Sequence, residues 1–141
     1  MNEVKEMVYL PIRSYPPDIL AQDSYNGYNY YVLSMGTHPC AYVEIPKEHK
    51  LFNQDEDGFE SVIDCHGGVT YTDSTLYGVD HEGKFIGWDY GHYGDYLVYA
   101  VLFNFDFWEE TDKKYATPTL INDCKNVIDQ LIRLDKDNEN N

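Results

Sequence analysis

Near the C-terminal end of the printed sequence, apolar residues recur at every third or fourth position. They are Leu120, Ile121, Cys124, Val127, Ile128, Leu131 and Ile132. Thr117 and Pro118 precede this stripe as a cap and a first-turn proline. The spacing predicts a helix over residues 118–134 that buries one face, followed by a frayed polar tail at 135–141.

Shorter apolar runs that are rich in β-branched and aromatic residues predict strands. These runs are residues 7–12, 29–35, 40–45, 60–65, 69–72 and 85–89. The turn-forming residues 36–39 are expected to join two of them as a hairpin. We expect residues 13–27, 46–58 and 73–83 to be loops, the second with room for one helical turn. The long apolar stretch 96–107 is too rich in β-branched and aromatic residues to favour a helix, and its turn-rich flank leaves a partial loop open.

These elements predict an α+β fold, a mainly antiparallel sheet with a C-terminal amphipathic helix packed on it. A length of 141 residues is typical of a single domain. Within it, residues 1–27 form an irregular N-terminal region that starts with one short strand.

The charge balance narrows the classes of function. The chain carries 25 acidic and 10 basic residues, a formal charge of −15. Direct binding to nucleic acid is therefore not expected, because phosphate contacts need clustered Lys and Arg. Two explanations stay open: the charge keeps the protein soluble, or it imitates a polyanion that occupies a nucleic-acid-binding protein.

Cysteine use and hydropathy bear on location. Cys40, Cys65 and Cys124 form no CxxC pair and are expected to be reduced, small core residues. No run approaches the roughly 18–20 apolar residues that span a bilayer, and the first nine residues do not resemble a signal peptide. We expect a cytoplasmic protein that does not associate with membranes and needs no cofactor.

The candidate chemistry is concentrated in two glycine-containing segments, residues 64–71 and 88–96. Glycine suits tight turns and close approach of the backbone, while titratable and aromatic groups around such turns are typical of a pocket. We predict that the two segments line one pocket. The expected ligand-binding residues are His66, Gly67, Gly68, Thr70, Tyr71, Trp88, Asp89, His92 and Asp95.

Several roles are open for this set. A carboxylate beside an imidazole orients it and stabilises its cationic form, so His66, His92 and Asp89 are the catalytic candidates if the protein is an enzyme. The same two histidines with Asp89 and Asp95 could instead hold a metal ion, although no HExxH or CxxC spacing supports this. In a third alternative, both histidines are buried and only brace the turns.

The three other histidines are weaker candidates. His38 precedes Pro39 and could reach the pocket, but a surface turn is favoured. His49 and His81 lie among polar residues and are expected to be solvated. The acidic run 55–58 lacks the later glutamate of an EF-hand loop and is interpreted as a solvated turn.

Residues 38–43, 45–49, 66–71 and 85–95, with 123–125 and 129–131, resemble a family of small bacteriophage and prophage proteins of unknown function. The similar motifs carry His66, Asp89, His92 and Asp95. Val69 and Tyr90 stand where the family pattern has leucine and cysteine. The resemblance covers roughly residues 36–134 and implies a phage protein in the cytoplasm of a host bacterium.

Three functions are compatible with this resemblance. The preferred one is a counter-defence protein that binds, and in one version cleaves, a nucleotide-derived immune signal of the host. The second is an acidic interaction protein that inhibits a host nucleic-acid-binding defence enzyme by charge mimicry. The third is a small hydrolase of phage metabolism. The expected partners are therefore a nucleotide-type small molecule or a host defence protein, and a homodimer is left open.

Overall fold

A computed structural model describes residues 3–92, Asp95 and residues 114–137. Its elements in chain order are β1 (Asp18–Tyr25), β2 (Tyr28–Ser34), β3 (Pro39–Glu44), α1 (Glu56–Val62), β4 (Tyr71–Leu76), β5 (Val79–Asp89) and α2 (Thr117–Asp137). The five strands form one sheet in the order β1-β2-β3-β5-β4, and every neighbouring pair is antiparallel. Helix α2 packs against β1, β2 and β3. The predicted α+β fold is confirmed.

Strands β2 and β3 form the predicted hairpin. Strand β1 occupies residues for which the sequence predicts a loop. It pairs with β2 through a turn at Asn26 and Gly27, whose φ angles of 49° and 85° suit an Asn-Gly hairpin turn. The strand expected at residues 7–12 is not formed. The N-terminal segment instead runs irregularly over the sheet, donating hydrogen bonds from Lys5 N to Leu20 O and from Leu10 N to Gly36 O, each at 2.7 Å.

Helix α1 occupies residues for which the sequence predicts a loop and the start of a strand. Asp55 caps it, because its Oδ1 accepts a hydrogen bond of 2.9 Å from Gly58 N. Phe59 is the buried residue of this helix, and the buried C-cap residue Ile63 donates its amide to Phe59 O. The local alternation that predicts a strand is therefore overridden by the cap and by one buried helical face.

The loop predicted at residues 73–83 is mostly strand. Strands β4 and β5 pair across it and are joined by a tight turn at Gly78, whose φ is 88°. The strand expected at 69–72 begins at Tyr71, and the one expected at 85–89 is the end of the longer β5. The apolar stretch 96–107 lies outside the described residues.

Helix α2 confirms the helix predicted at 118–134 and extends it at both ends. Thr117 does not cap it. Its hydroxyl donates a 2.6 Å hydrogen bond to Lys5 O, while the Ala116 carbonyl accepts from the amides of Thr119 and Leu120. The apolar stripe lies in the core, with Leu120, Cys124, Val127, Ile128 and Leu131 all buried. Of the predicted frayed tail, residues 135–137 are helical and the remainder lies outside the described residues.

The sheet buries both of its faces. Ala41 and Val43 of β3 and Ile86 and Trp88 of β5 join α2 in one cluster. A second cluster on the opposite face contains Tyr31, Leu33, Met35, Cys40, Tyr42, Leu76 and Phe85. Strand residues alternate between the two clusters because successive side chains point to opposite faces. Within the part of the chain that the structure describes, no helix has the length and apolar character needed to cross a bilayer.

Candidate functional site

The two glycine-containing segments meet at one end of the sheet. Residues 64–70 connect α1 to β4, and residues 90–92 follow β5 directly. The rings of His66 and His92 lie 6.3 Å apart between centroids. Segments separated by more than twenty positions in the sequence therefore present their imidazoles to the same region.

Two glycines permit this close packing. Gly67 has a φ of 72°, and a Cβ there would lie 2.5 Å from Nε2 of His92. A Cβ at Gly91 would lie 2.8 Å from Cδ2 of His38. Because Gly67 adopts a left-handed backbone and both glycines contact a ring, side chains at these positions would displace an imidazole.

His66 and Asp95 form the central polar pair of the site. Nε2 of His66 lies 3.0 and 2.9 Å from the two carboxylate oxygens of Asp95. The Asp95 side chain is 3% exposed, and Oδ2 also accepts a 3.0 Å hydrogen bond from the backbone N–H of His92. Because a carboxylate accepts, Nε2 carries the proton. No described residue forms a hydrogen bond with Nδ1 of this ring.

Asp89 and His92 form a second pair with different geometry. Nε2 of His92 lies 3.1 Å from Oδ1 of Asp89, but this buried atom makes no aligned hydrogen bond to a described residue. Oδ1 of Asp89 instead accepts from Gly91 N at 3.0 Å, which closes the turn after β5. Asp89 therefore braces the turn, whereas His92 makes no aligned hydrogen bond through Nε2 to a described residue, so His66 is the better-oriented imidazole.

Tyr90 packs against one face of the His66 ring. The two rings are stacked, with centroids 4.5 Å apart and planes 14° apart. The Tyr90 hydroxyl accepts from Trp88 Nε1 at 2.9 Å and donates to Asp123 Oδ2 at 2.5 Å. Burial and the Asp123 carboxylate raise the pKa of Tyr90, so the phenol stays protonated as a donor.

An open cleft of about 540 Å³ lies beside His66. Its lining residues come from the loop after α1, from Tyr115 and from α2, and are Asp64, Cys65, His66, Tyr115, Thr119, Asp123, Asn126 and Val127. The ring of Tyr115 packs edge-on against His66 at 5.1 Å. Burial and the nearby carboxylate of Asp95, with which its hydroxyl is hydrogen-bonded, raise the pKa of Tyr115 to about 12. The cleft thus combines an imidazole, a protonated phenol and two carboxylates.

Cys65 also lines the cleft, where it is the residue next to His66. Burial, followed by the charges of Asp64 and Asp123, raises the pKa of its thiol to about 12. A thiol of this kind is almost fully protonated at neutral pH, and the thiolate is the nucleophilic form. Cys65 is therefore a lining residue and not an activated nucleophile.

Of the predicted ligand-binding residues, only His66 borders the cleft, and the described residues of segment 88–96 do not line it, contrary to the prediction that both segments line one pocket. Gly67, His92 and Asp95 lie next to His66, and Asp89 lies next to His92, but none of these four residues lines the cavity. Gly68 turns the backbone, with a φ of 82° and its amide donating to Cys65 O. Our expectation that Trp88 is a ligand-binding residue needs correction, because its side chain is fully buried in the core. It acts on the site through Tyr90.

Thr70 and Tyr71 lie away from the cleft. The Thr70 amide donates to Gly87 O at 2.9 Å, which starts the pairing with β5. The Tyr71 ring contacts Tyr42 on the sheet face opposite α2, and its hydroxyl donates to Thr75 O. Neither side chain lines the cavity beside His66, so neither forms a direct contact there.

The lining residues of α2 were missed by reasoning from the sequence. Thr119, Asp123 and Asn126 follow each other at spacings of four and three, so they form a polar stripe beside the apolar one. That polar stripe was the feature of the sequence from which these lining residues could have been predicted. Only the packing of α2 on the sheet shows that it faces His66.

The three remaining histidines differ in burial: His49 is buried, His38 is half-buried and His81 is exposed. His49, expected to be solvated, is 4% exposed. Its Nδ1 accepts from Leu51 N at 3.0 Å, and its Nε2 lies 2.8 Å from Leu131 O. His81 is exposed as expected, and half-buried His38 packs on Gly91.

A metal-binding role finds no support in residues 3–92, Asp95 and 114–137, which contain no group of three or more potential ligands arranged around one point. The four residues considered for this role are arranged as two separate carboxylate–imidazole pairs. Comparison with known proteins gives no assignment: no family model, curated protein or solved structure matches this chain.

Proposed function

We propose that this chain binds a nucleotide-derived small molecule in the cleft beside His66 and holds it by the nucleoside part. The observation that carries the proposal is the oriented His66–Asp95 pair at the wall of an open 540 Å³ cleft. Its volume lies within the range usual for small-molecule sites, and its lining is mostly polar, with the Tyr115 ring beside the imidazole. The phage resemblance makes a host immune signal the preferred ligand, with counter-defence as the biological role.

The lining groups favour a nucleoside over its phosphates. Tyr115 and His66 offer ring surfaces against which a base can pack. Asp64 and Asp123 offer carboxylates of the kind that accept hydrogen bonds from ribose hydroxyls. The same carboxylates repel phosphate, and the cleft lining contains no Lys or Arg among the described residues. We therefore expect the phosphates to point toward solvent.

The test is calorimetric titration of the purified protein with adenosine, a cyclic dinucleotide and ADP-ribose. We expect saturable binding of at least one compound whose ribose hydroxyls are free. His66→Ala should bind it at least tenfold more weakly, which corresponds to a loss of about 1.4 kcal/mol of binding free energy. His81→Ala is the matched control, because His81 is exposed and lies outside the cleft. Absence of binding for all three compounds, or equal binding by His66→Ala and His81→Ala, would contradict the proposal.

Catalysis is a separate outcome of the same experiment. An imidazole oriented by a carboxylate can act as a general base, so the bound nucleotide would be recovered by heat release and analysed by chromatography. Recovery of the intact compound supports sequestration. A product that disappears in Asp95→Asn, where binding is retained, would instead support the small-hydrolase alternative.

A second candidate function is favoured by the surface of α1. Its exposed acidic residues Glu56, Asp57 and Glu60 lie between exposed Asp55 and Asp64, in a chain with a net charge of −15. Such a surface can occupy the phosphate-binding groove of a host nucleic-acid enzyme.

Charge mimicry predicts different experimental results from nucleoside binding. We expect co-purification with a host nucleic-acid-binding protein that weakens steeply with salt and is lost in Glu56→Lys/Asp57→Lys/Glu60→Lys. The same co-purification would be unchanged in His66→Ala and His92→Ala. Capture that is insensitive to salt and to the lysine substitutions would contradict this candidate.

A further inference from the structure

A second pocket lies on the sheet face opposite α2, away from His66. It has a volume of about 290 Å³ and is lined by apolar and aromatic groups that include Tyr15, Tyr42, Tyr71, Leu76 and Tyr77. This volume is near the lower end of the roughly 300–1,000 Å³ usual for ligand pockets, enough for a compound of one or two rings. No step in the nucleoside proposal uses this pocket.

Two exposed tyrosines stand at this pocket. Tyr15 is 81% exposed and Tyr77 is 51% exposed, and their ring centroids lie 4.6 Å apart. Large aromatic side chains are costly to leave in water, and because the ring planes are 32° apart the two rings pack on each other and leave outward faces on which a flat ligand can stack. The position of Tyr15 is held by the adjacent backbone, where Ser14 N donates a 2.9 Å hydrogen bond to Met35 O.

The backbone on the Tyr15 side of this pocket is closely packed. Gly36 has a φ of 84°, and a Cβ there would lie 2.6 Å from Ile12 O and 2.7 Å from Ser14 N. The N-terminal segment can therefore lie directly on the turn between β2 and β3. The floor depends on a second glycine, because a Cβ at Gly87 would overlap the ring of Tyr42. The pocket wall and floor are thus built into the fold.

Charge distinguishes this pocket from the His66 cleft. Arg13 lines it, and none of the described lining residues is acidic. Arg13 makes no ion pair with the described residues. In a chain with 25 acidic and 10 basic residues, a guanidinium beside four tyrosines and no carboxylate is a local exception. A guanidinium recognises carboxylate and phosphate groups by paired hydrogen bonds.

We propose that this pocket binds a small planar aromatic compound that carries one anionic group. The ligand ring stacks on an outward face of the Tyr15–Tyr77 pair, beside Tyr42 and Tyr71, and the anionic group pairs with Arg13. The uncharged part accounts for affinity through apolar burial, while Arg13 selects the anion over its neutral analogue. This inference is independent of the nucleoside proposal, since the two sites lie on opposite faces of the sheet.

Indole-3-acetate and its uncharged analogue indole-3-acetamide are suitable probes, titrated into the full chain and followed by calorimetry. We expect Arg13→Gln to weaken binding of the acid about tenfold and to change binding of the amide less than about twofold. Tyr77→Ala is expected to weaken both. Arg133→Gln is the matched control, because Arg133 is an exposed arginine on α2, and it should change neither.

Several results would overturn this inference. They are an absence of saturable binding of indole-3-acetate at about 1 mM, equal affinity of the wild type and Arg13→Gln for the acid, or equal loss in Arg133→Gln. His66→Ala should leave indole-3-acetate binding unchanged, so the failure of one site is distinguishable from the failure of the other. A concentration-dependent dimer that buries this face and excludes both probes would show that a second copy occupies the pocket, which also overturns the proposal.

Discussion

At the scale of single residues, the site depends on which side chains approach a glycine. His92 lies against Gly67, and His38 lies against Gly91. The first contact combines a left-handed backbone with direct contact between the ring and the Cα position. Gly27 has a similar φ of 85°, but a Cβ placed there would have nothing within 4 Å. Comparing Gly67 with Gly27 therefore separates backbone strain from steric contact.

We expect Gly67→Ala to displace the His92 ring from its position beside Asp89. Both Gly67→Ala and Gly27→Ala should lose about 1 kcal/mol of unfolding free energy, because alanine is strained at positive φ. Only Gly67→Ala should also shift the His92 imidazole resonances in an NMR spectrum, since only there does a methyl group meet a ring. Unchanged His92 resonances in folded Gly67→Ala would contradict the geometry of the site.

At the scale of elements, a buried histidine attaches the loop after β3 to helix α2. Leu51 N–H donates to Nδ1 of His49, so Nε2 carries the proton and donates to Leu131 O. This neutral ring joins segments that are 82 positions apart in sequence. It helps to hold α2 over the sheet, and α2 supplies one side of the cleft.

We expect His49→Ala to lower the unfolding free energy by about 2–3 kcal/mol, because it leaves the Leu51 amide without its partner, removes the added hydrogen bond to the Leu131 carbonyl and opens a void. His81→Ala should change it by less than about 0.5 kcal/mol, since that ring is largely exposed. Urea unfolding measures both. Equal stability of the two variants would show that the His49 hydrogen bonds do not hold the loop to α2.

Strand β5 contains a second pair of comparable glycines. A Cβ at Gly87 would overlap the Tyr42 ring, whereas one at Gly83 would meet the carboxylate of Glu44, the movable end of a flexible side chain. We expect Gly87→Ala to cost about 1–3 kcal/mol of unfolding free energy by overpacking. Gly83→Ala should be close to neutral. A neutral Gly87→Ala in the same urea experiment would contradict the packing of Tyr42 on β5.

At the scale of the whole molecule, burial keeps ionisable groups neutral. It raises the pKa of Cys40 and Cys65 to about 12 each, and it raises that of Cys124 as well. An unfolded cysteine ionises near the ordinary thiol pKa of 9.0. Above that value the unfolded chain releases protons that the folded protein retains, so the folded state becomes progressively less favourable.

We therefore expect the unfolding free energy to keep the full contribution of the neutral thiols below about pH 9. It should then fall as the pH rises toward about 12. Urea midpoints measured at several pH values in this window should decrease steadily. Cys65→Ser should show a shallower decrease, because serine does not titrate there. A midpoint that stays constant across the window would contradict neutral burial of the thiols.

Local pattern in the sequence was sufficient for helix α2, for the β2–β3 hairpin and for the end of β5, because each has a strong periodicity of its own. The α+β class follows from these elements. Their existence does not depend on which distant surface they meet, so the order of residues alone determined them. The clustering of chemistry in residues 64–71 and 88–96 was visible in the same way.

Tertiary structure decided what the pattern left ambiguous. The run around Phe59 became a helix because Asp55 caps it and the core accepts one helical face. Trp88 was taken out of any ligand contact by burial, and Asp123 was brought into the cleft by the packing of α2. Periodicity describes which side of an element is buried, whereas the identity of its neighbour depends on contacts between residues far apart in sequence. The cleft beside His66 is made by such contacts, so only the folded chain defines it.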